Sequence, residues 1–117
     1  MRLKPNTLIV VAGPTASGKT ALAIQSAKAV DGEIVSADSM QIYRGVDIAT
    51  AKPTPEELAA VPHHLIGFLP MDRAFSVADY AELARKEIND ILSRGKVPVL
   101  CGGTGLYIKA IVDNVQY

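Results

Sequence analysis

The sequence predicts an α/β domain in which a parallel β-sheet is flanked by helices. Short β-branched apolar runs alternate with helical segments, a glycine-rich loop joins the first run to the first helix, and 49% of the residues are hydrophobic. Alternation of this kind favours parallel strands joined by right-handed crossovers. The 117 residues suffice for one domain but not for two, so we assign residues 1–117 to a single α/β core.

The first strand is predicted at Thr7–Ala12, because the continuous run TLIVVA suits a strand covered on both faces. A helix is expected from Gly18 to Asp31, with Gly32 ending it. Glu33–Ala37 then predicts a second strand that ends at Asp38.

The later elements follow the same kinds of signal. In chain order we expect a loop with one short helical turn (Asp38–Thr54), a helix from Thr54 that Pro62 stops, a strand (His64–Leu69), a helix (Ser76–Arg94), a strand (Val97–Cys101) and a last helix opened by Gly102–Gly105 and reaching Val112.

Two helix starts carry the most local detail. Thr54 suits an N-cap position, and Pro55 suits the first helical position. Ser76 and Asp79 match the spacing of a capping box. The helix after Ser76 carries an apolar stripe at helical spacing, which indicates its buried face: Tyr80, Ala84, Ile88 and Ile91.

Composition excludes several classes of protein. The formal charge is zero, with 12 basic and 12 acidic residues, which argues against nucleic-acid binding by bulk charge alone. Cys101 is the single cysteine, so neither an intrachain disulfide nor a multi-cysteine metal site is available. The apolar run before the glycine loop is too short for a signal peptide or a membrane span. We therefore expect a cytoplasmic protein without a membrane partner.

The glycine-rich loop has the sequence GPTASGKT and matches G-x-x-x-x-G-K-[ST] at every fixed position. A strand is predicted before it and a helix after it, which is the context of a P-loop, so the predicted core is P-loop NTPase-like. In a P-loop the backbone N–H groups cradle phosphates, and the helix N-terminus adds partial positive charge. The phosphate-binding residues are expected to be Gly13, Pro14, Thr15, Ala16, Ser17, Gly18, Lys19 and Thr20. Lys19 reaches the terminal phosphate oxygens in such a loop, and the Thr20 hydroxyl holds Mg²⁺.

The motif alone leaves the ligand open. A nucleotide such as ATP and any other diphosphate ester are compatible with it. Asp38, taken alone, is compatible with a strand-end magnesium ligand that acts through water. Ser39 and Gln41 are compatible with capping a turn, and Thr104 with an N-cap.

Other polar residues are expected to be structural. The adjacent His63 and His64 are poorly spaced for one metal ion and favour hydrogen-bonding roles. Cys101 is expected to be a small core residue. We expect solvated surface positions rather than phosphate contacts for the following side chains: Arg44, Lys52 and Lys109.

Several further segments accompany the P-loop in a specific order. They are SADSMQIYRGVDIATAKPT at 36–54, PHHLIG at 62–67, FSVADY at 75–80 and GGTGLYIKA at 102–110. With this order and spacing, the chain from about Leu8 to its end closely resembles the tRNA dimethylallyltransferase family, also called tRNA isopentenyltransferases. The segments DSMQIY and GGTGLY are far more specific than the P-loop.

The resemblance implies the chemistry of the site. Members transfer a dimethylallyl group from dimethylallyl diphosphate to the exocyclic amine of an adenosine beside the tRNA anticodon. The P-loop would then hold the donor's diphosphate with Mg²⁺, and pyrophosphate would be released there. Asp38 matches the general base, and Thr15 a position that contacts the donor's bridging oxygen or the reacting centre. The tRNA contacts would come from five matching positions: Asp38, Ser39, Met40, Gln41 and Thr104.

The resemblance also implies a longer enzyme. Members carry an inserted helical domain that grips tRNA, and later core segments with arginines that help to bind the diphosphate. Residues 1–117 match their N-terminal part, so we expect a truncated core that lacks the later strands. For this chain alone we expect weak or absent catalysis, and self-association through an exposed sheet edge.

Two other functions stay open from the residues. One is an enzyme of a different specificity, either a small P-loop kinase for a nucleotide or metabolite, or an adenylate isopentenyltransferase that uses a free nucleotide. The other is a nucleotide-binding module, or a fragment that keeps only the fold. Relative affinity for dimethylallyl diphosphate and ATP separates these alternatives.

Overall fold

The computed structural model describes residues 7–13, 18–39, 41–44, 54–70 and 72–113. In chain order its elements are β1 (Ile9–Ala12), α1 (Lys19–Val30), β2 (Gly32–Ser36), α2 (Pro55–Ala60), β3 (His63–His64), α3 (Val77–Ser93), β4 (Val97–Gly102) and α4 (Gly105–Val112). Within the described ranges the strands form one sheet in the order β1-β4-β2-β3, and every pairing is parallel. The predicted α/β class with a parallel sheet is confirmed.

Strands β2 and β4 are buried on both faces because successive residues join different apolar clusters. On β2, Ile34 packs with α1 whereas Val35 packs with α3 and α4, and on β4, Val99 and Leu100 divide in the same way. Helices therefore cover both faces of the sheet. This explains why β4 is a nearly continuous apolar run rather than an alternating polar and apolar pattern.

Both helix starts with predicted caps are confirmed. The Thr54 hydroxyl accepts a hydrogen bond from the Glu57 amide (3.2 Å), and the Glu57 carboxylate accepts one from the Thr54 amide (2.8 Å). Ser76 and Asp79 form the same reciprocal pair at the start of α3, with both hydrogen bonds at 3.0 Å. The predicted stripe of α3 is buried together with Ala81.

Two local predictions are wrong. The residue that ends α1 in the left-handed region is Asp31, with φ 56°, and Gly32 already belongs to β2. A short polar side chain tolerates that conformation. The strand predicted at His64–Leu69 is reduced to β3 and an isolated bridge between Tyr43 and Leu69. Positive φ angles at Leu65 (66°) and Gly67 (64°) interrupt the extended backbone.

The predicted loop over residues 38–54 is described only in part, since residues 40 and 45–53 lie outside the described ranges. The segment that follows Asp38 is tied to the chain after β3. Gly67 donates its amide hydrogen to the Gln41 carbonyl (2.8 Å), and Phe68 donates to the Ile42 carbonyl (3.0 Å). These hydrogen bonds hold the start of the loop against residues 67–69.

A charge cluster lies at the amino-terminal ends of the strands, opposite the P-loop. Glu33, 6% exposed, accepts hydrogen bonds from both guanidinium Nη atoms of Arg94 (2.5 and 2.8 Å). His64 Nε2 lies 2.7 Å from Glu33, and His64 Nδ1 lies 3.2 Å from Glu87. The cluster ties β2 and β3 to α3. Hydrogen bonding from Arg94, opposed by burial and assisted by His64, lowers the pKa of Glu33 to about 2.

This cluster predicts a specific acid sensitivity. A carboxylate whose pKa falls on folding stabilises the fold above its ordinary pKa, and the stabilisation is lost as the pH falls towards the folded value. The free energy of unfolding should therefore decline between about pH 4.5 and pH 2. Glu33→Gln should lower stability at pH 7 and flatten that decline in urea titrations at several pH values. The matched control is Glu82→Gln, an exposed position on α3, and an equal flattening there would contradict the assignment.

Strand β1 lies at one edge of the sheet, and within the described residues it pairs only with β4. Val10 is 39% exposed, and Ala12 is also exposed. An open edge strand with apolar side chains favours pairing with another chain. We expect a concentration-dependent rise in mass when this chain is followed by light scattering. A constant monomer mass up to millimolar concentration would contradict this expectation.

Candidate active site

The carboxyl-terminal ends of three parallel strands bring the predicted motifs together. β1 leads into Gly13, β2 leads into Asp38, and β4 leads into the segment GGTG at 102–105. The first and last motifs are in contact, since a Cβ atom on Gly103 would lie 3.0 Å from the Gly13 carbonyl oxygen. Ligands of open parallel sheets bind at this edge.

The described part of the P-loop has the features of an anion site. Gly18 is the N-cap residue of α1, with φ 76°. It has no side chain that could accept hydrogen bonds from the first amides of the helix. The first turn of α1 contains no acidic residue. Lys19 is only 5% exposed, and Thr20 is partly exposed beside it. The remaining predicted phosphate-binding residues lie outside the described ranges: Pro14, Thr15, Ala16 and Ser17.

Lys19 and Asp38 both act electrostatically on one buried thiol. Burial raises the pKa of Cys101, the Lys19 charge lowers it, and the Asp38 charge raises it. The Cys101 sulfur also lies 4.0 Å from the Lys19 carbonyl oxygen. The P-loop lysine and the strand-end carboxylate are therefore both within electrostatic range of the end of β4. Cys101 itself is 8% exposed, as expected of a core residue.

Asp38 is a buried carboxylate, 7% exposed, two residues beyond the end of β2. Its Oδ1 atom accepts a hydrogen bond from the Gln41 amide at 3.3 Å. This contact holds the carboxylate relative to the backbone at the edge of the sheet. Met40, which the sequence also predicts to contact tRNA, lies outside the described residues.

Thr104 connects the GGTG segment to the segment after Asp38. It occupies the N-cap position of α4, but its hydroxyl makes no capping hydrogen bond to that helix. Instead, Thr104 Oγ1 accepts a hydrogen bond from the Ser39 amide (2.8 Å) and lies 3.2 Å from Ser39 Oγ. Thr104 also donates its own amide hydrogen to the Ala37 carbonyl (3.1 Å). Thr104 is thus the N-cap residue of α4, as one alternative from the sequence had it, but its hydroxyl hydrogen-bonds Ser39 rather than the helix.

Gly102 is required by the close approach of two strand ends. A Cβ atom at this position would collide with the Ala37 backbone. Ala37 in turn donates its amide hydrogen to the Cys101 carbonyl (2.8 Å). Ala37, which precedes Asp38, is thus in direct contact with the end of β4.

Sequence reasoning missed a polar network behind Asp38. Ser36, 1% exposed, donates its hydroxyl hydrogen to Gln41 Oε1 (3.1 Å), and its carbonyl accepts one from the Tyr80 hydroxyl (2.7 Å). The Tyr80 ring stacks on Tyr107, with centroids 4.0 Å apart and planes 10° apart. Tyr80 had been assigned to an apolar stripe, and its hydroxyl group was the signal that a buried partner existed.

The two histidines lie away from this edge and have structural contacts. His64 belongs to the charge cluster of Glu33. His63 Nδ1 lies 2.8 Å from the Val61 carbonyl, and burial lowers the pKa of His63. Across the described residues, no group of three or more His, Cys, Asp and Glu side chains is arranged to hold a metal ion.

The candidate surface cations differ in their contacts. Lys109 pairs with Asp113 at 2.6 Å on the exposed side of α4. Arg44 is exposed and donates to the Phe68 carbonyl (3.3 Å). Lys52 lies outside the described ranges. In the part of the chain that is described, no helix is long and apolar enough to span a membrane.

Comparison with known proteins decides the family. Residues 41–117 match the family model described as IPP transferase. The chain belongs to this family. It is 52% identical over 115 residues to the tRNA dimethylallyltransferase of Salinispora tropica, covering 98% of this chain and 36% of that protein. The chain therefore spans about a third of the length of the curated relatives it matches.

Solved structures give the same assignment for this IPP transferase chain. The full-length tRNA isopentenylpyrophosphate transferase from Bacillus halodurans is 49% identical with a TM-score of 0.89, over 95% of this chain and 37% of that one. A eukaryotic dimethylallyltransferase, described as acting on tRNA, is 33% identical with a TM-score of 0.86, over 94% of this chain and 27% of that one. The predicted family resemblance and fold are confirmed.

Proposed function

We propose that this chain forms the donor-binding and base-bearing core of a tRNA dimethylallyltransferase. The observation that carries the proposal is the position of Asp38, a carboxylate buried just beyond the end of β2, in a chain of the IPP transferase family. The charges of Asp38 and Lys19 both act on the Cys101 thiol at the end of β4. The proposed reaction moves a dimethylallyl group from dimethylallyl diphosphate to the exocyclic amine of an adenosine next to the tRNA anticodon.

In the proposed reaction the adenosine amine attacks the first carbon of the dimethylallyl group. The bond from that carbon to the diphosphate oxygen breaks, and pyrophosphate leaves with the bonding electrons. Lys19 and the first amides of α1 would stabilise the negative charge that develops on the leaving group. Asp38 would accept the proton that the amine loses. Thr15 would contact the bridging oxygen or the reacting centre.

Magnesium fits the proposed site through one protein ligand. The Thr20 hydroxyl, partly exposed in the first turn of α1, is a hard oxygen donor of the kind that Mg²⁺ prefers. Because Mg²⁺ keeps several waters and binds substrate phosphates, one hydroxyl suffices beside a diphosphate. When bound, the ion would supply positive charge for the departing pyrophosphate.

The proposed tRNA side of the site consists of the segment after Asp38 and the GGTG segment. Thr104 hydrogen-bonds the Ser39 amide, and Asp38 hydrogen-bonds the Gln41 amide, so the two segments are tied together at the edge of the sheet. We assign Ser39, Met40, Gln41 and Thr104 to contacts with the anticodon stem-loop. A cytoplasmic location suits this role and stays a prediction.

Ligand preference tests the proposed donor. Isothermal titrations of this chain, with Mg²⁺ present, compare dimethylallyl diphosphate, pyrophosphate and ATP. The proposal predicts that dimethylallyl diphosphate binds more tightly than ATP. Tighter binding of ATP would favour a kinase, and absence of binding by all three would indicate a fragment that keeps only the fold.

A further inference from the structure

The polar network behind Asp38 connects a helix to the turn that carries Gln41. The network is made by Tyr80, Ser36 and Gln41, whose residues are 0%, 1% and 6% exposed. Tyr80 lies on α3 and Ser36 ends β2, so the contact joins residues 44 positions apart in sequence. Unlike a surface contact, each hydrogen bond here is made away from competing water.

Ser36 is bound at both of its polar positions. Its hydroxyl donates to Gln41 Oε1 at 3.1 Å, and its carbonyl oxygen accepts from the Tyr80 hydroxyl at 2.7 Å. The Tyr80 ring is itself fixed by its stacking on Tyr107. Burial, with a smaller contribution from Tyr107, raises the pKa of Tyr80, so its hydroxyl keeps the proton that it donates.

We propose that Ser36 is a positioning residue for the Gln41 side chain, and that Tyr80 holds Ser36 in place for this task. This inference rests on the proposed function, in which Gln41 contacts the tRNA base. A side chain already held in one rotamer loses less conformational entropy when it meets a ligand. Ser36 thereby improves base binding without touching the base.

The same contacts predict what Ser36 does not do. Ser36 precedes Asp38 by two residues, and within the described part of the chain it contacts Gln41, Tyr80 and the neighbouring strand. None of these is a P-loop residue. Loss of the hydroxyl should therefore weaken the RNA side of the site and leave the affinity for dimethylallyl diphosphate unchanged.

The test follows the side-chain amides of glutamine by NMR. The chain has three glutamines, at positions 25, 41 and 116, so each amide pair is assignable after selective ¹⁵N labelling. In the unaltered chain the Gln41 amide should be more ordered and exchange more slowly than that of Gln25, which is exposed on α1. The hydrogen bond to Oε1 helps to hold the Gln41 amide in its buried position, from which it must open before its hydrogens exchange. Ser36→Ala should therefore reduce the Gln41 protection roughly two- to tenfold, the factor by which one neutral hydrogen bond shifts such an opening.

Two further variants separate positioning from folding. Tyr80→Phe removes one hydroxyl and keeps the ring stack, and it should reduce the Gln41 protection in the same direction. The matched control is Ser93→Ala, an exposed serine whose hydroxyl donates to the Asp90 carbonyl, and it should change nothing at Gln41. Unchanged Gln41 protection in Ser36→Ala overturns the proposal. If Ser36→Ala loses its dispersed spectrum, unchanged protection in Tyr80→Phe overturns it.

Binding measurements keep this inference distinct from the proposed function. Ser36→Ala should weaken binding of an anticodon stem-loop RNA by the same factor by which it reduces the Gln41 amide protection. The affinity for dimethylallyl diphosphate should stay unchanged. Equal stem-loop affinity in Ser36→Ala and the unaltered chain overturns the positioning role. If the unaltered chain binds no stem-loop RNA, its proposed tRNA contact fails, and the amide measurement still decides whether Ser36 orders Gln41.

Discussion

Replacing Asp38 by Asn should reduce prenyl transfer by at least about 100-fold, the lower range of what a general base contributes. The amide keeps an oxygen that can accept the hydrogen bond from the Gln41 backbone, so the turn should persist. It removes the negative charge and most of the basicity. Affinity for dimethylallyl diphosphate should stay within about threefold, because the P-loop contacts are untouched.

The measurement for Asp38→Asn uses a relative of full length. Residues of this chain replace the matching part of the Bacillus halodurans enzyme, of which they cover 37%. Single-turnover transfer to an anticodon stem-loop gives the chemical step, and titration gives donor affinity. Asp72→Asn, at an exposed position, is the control. If donor binding falls as far as transfer does, Asp38 acts chiefly at the metal site instead.

Replacing Lys19 by Met should weaken binding of dimethylallyl diphosphate and of pyrophosphate by roughly 10- to 150-fold. That range corresponds to one charge-assisted hydrogen bond of about 1.5–3 kcal/mol. Methionine keeps the apolar stem of a side chain that is only 5% exposed, so the packing around Cys101 should survive. The unliganded chain should lose no stability, because a buried charge has been removed rather than created.

Titration calorimetry on the 117-residue chain measures the Lys19 effect directly. Lys28→Met is the matched control, since Lys28 lies on the same helix and is exposed in its last turn. Thermal unfolding of each variant without ligand shows whether the fold is intact. Equal affinities for pyrophosphate in Lys19→Met and Lys28→Met would remove Lys19 from the phosphate site.

Local chemistry explains what the sequence predicted well. The capping boxes at Thr54 and Ser76 each pair two residues three positions apart, so both can be predicted without the tertiary structure. The strand-to-helix context of the P-loop is equally local. Short apolar stretches predicted β2 and β4 within one residue at each end, because both strands are buried on both faces of the sheet.

Long-range contacts explain what the sequence could not predict. The Tyr80 hydroxyl meets the Ser36 carbonyl across 44 residues, and Thr104 meets Ser39 across 65. The hydroxyl of a buried tyrosine indicates that a partner exists, but no local pattern shows which distant group that partner is. Threonine is a common N-cap residue, but the Thr104 hydroxyl hydrogen-bonds Ser39 instead of the first turn of α4. The order of the strands likewise depends on how helices cover both faces.

Transfer by the domain-replaced Bacillus halodurans enzyme is the most direct test of the proposed core function. The two proteins are 49% identical over the exchanged region and share its fold, so the replacement should assemble. We predict that it transfers the dimethylallyl group to an anticodon stem-loop and releases one pyrophosphate per transfer, and that Asp38→Asn abolishes transfer but not donor binding. A folded replacement that binds ATP more tightly than dimethylallyl diphosphate and transfers no prenyl group would contradict the account.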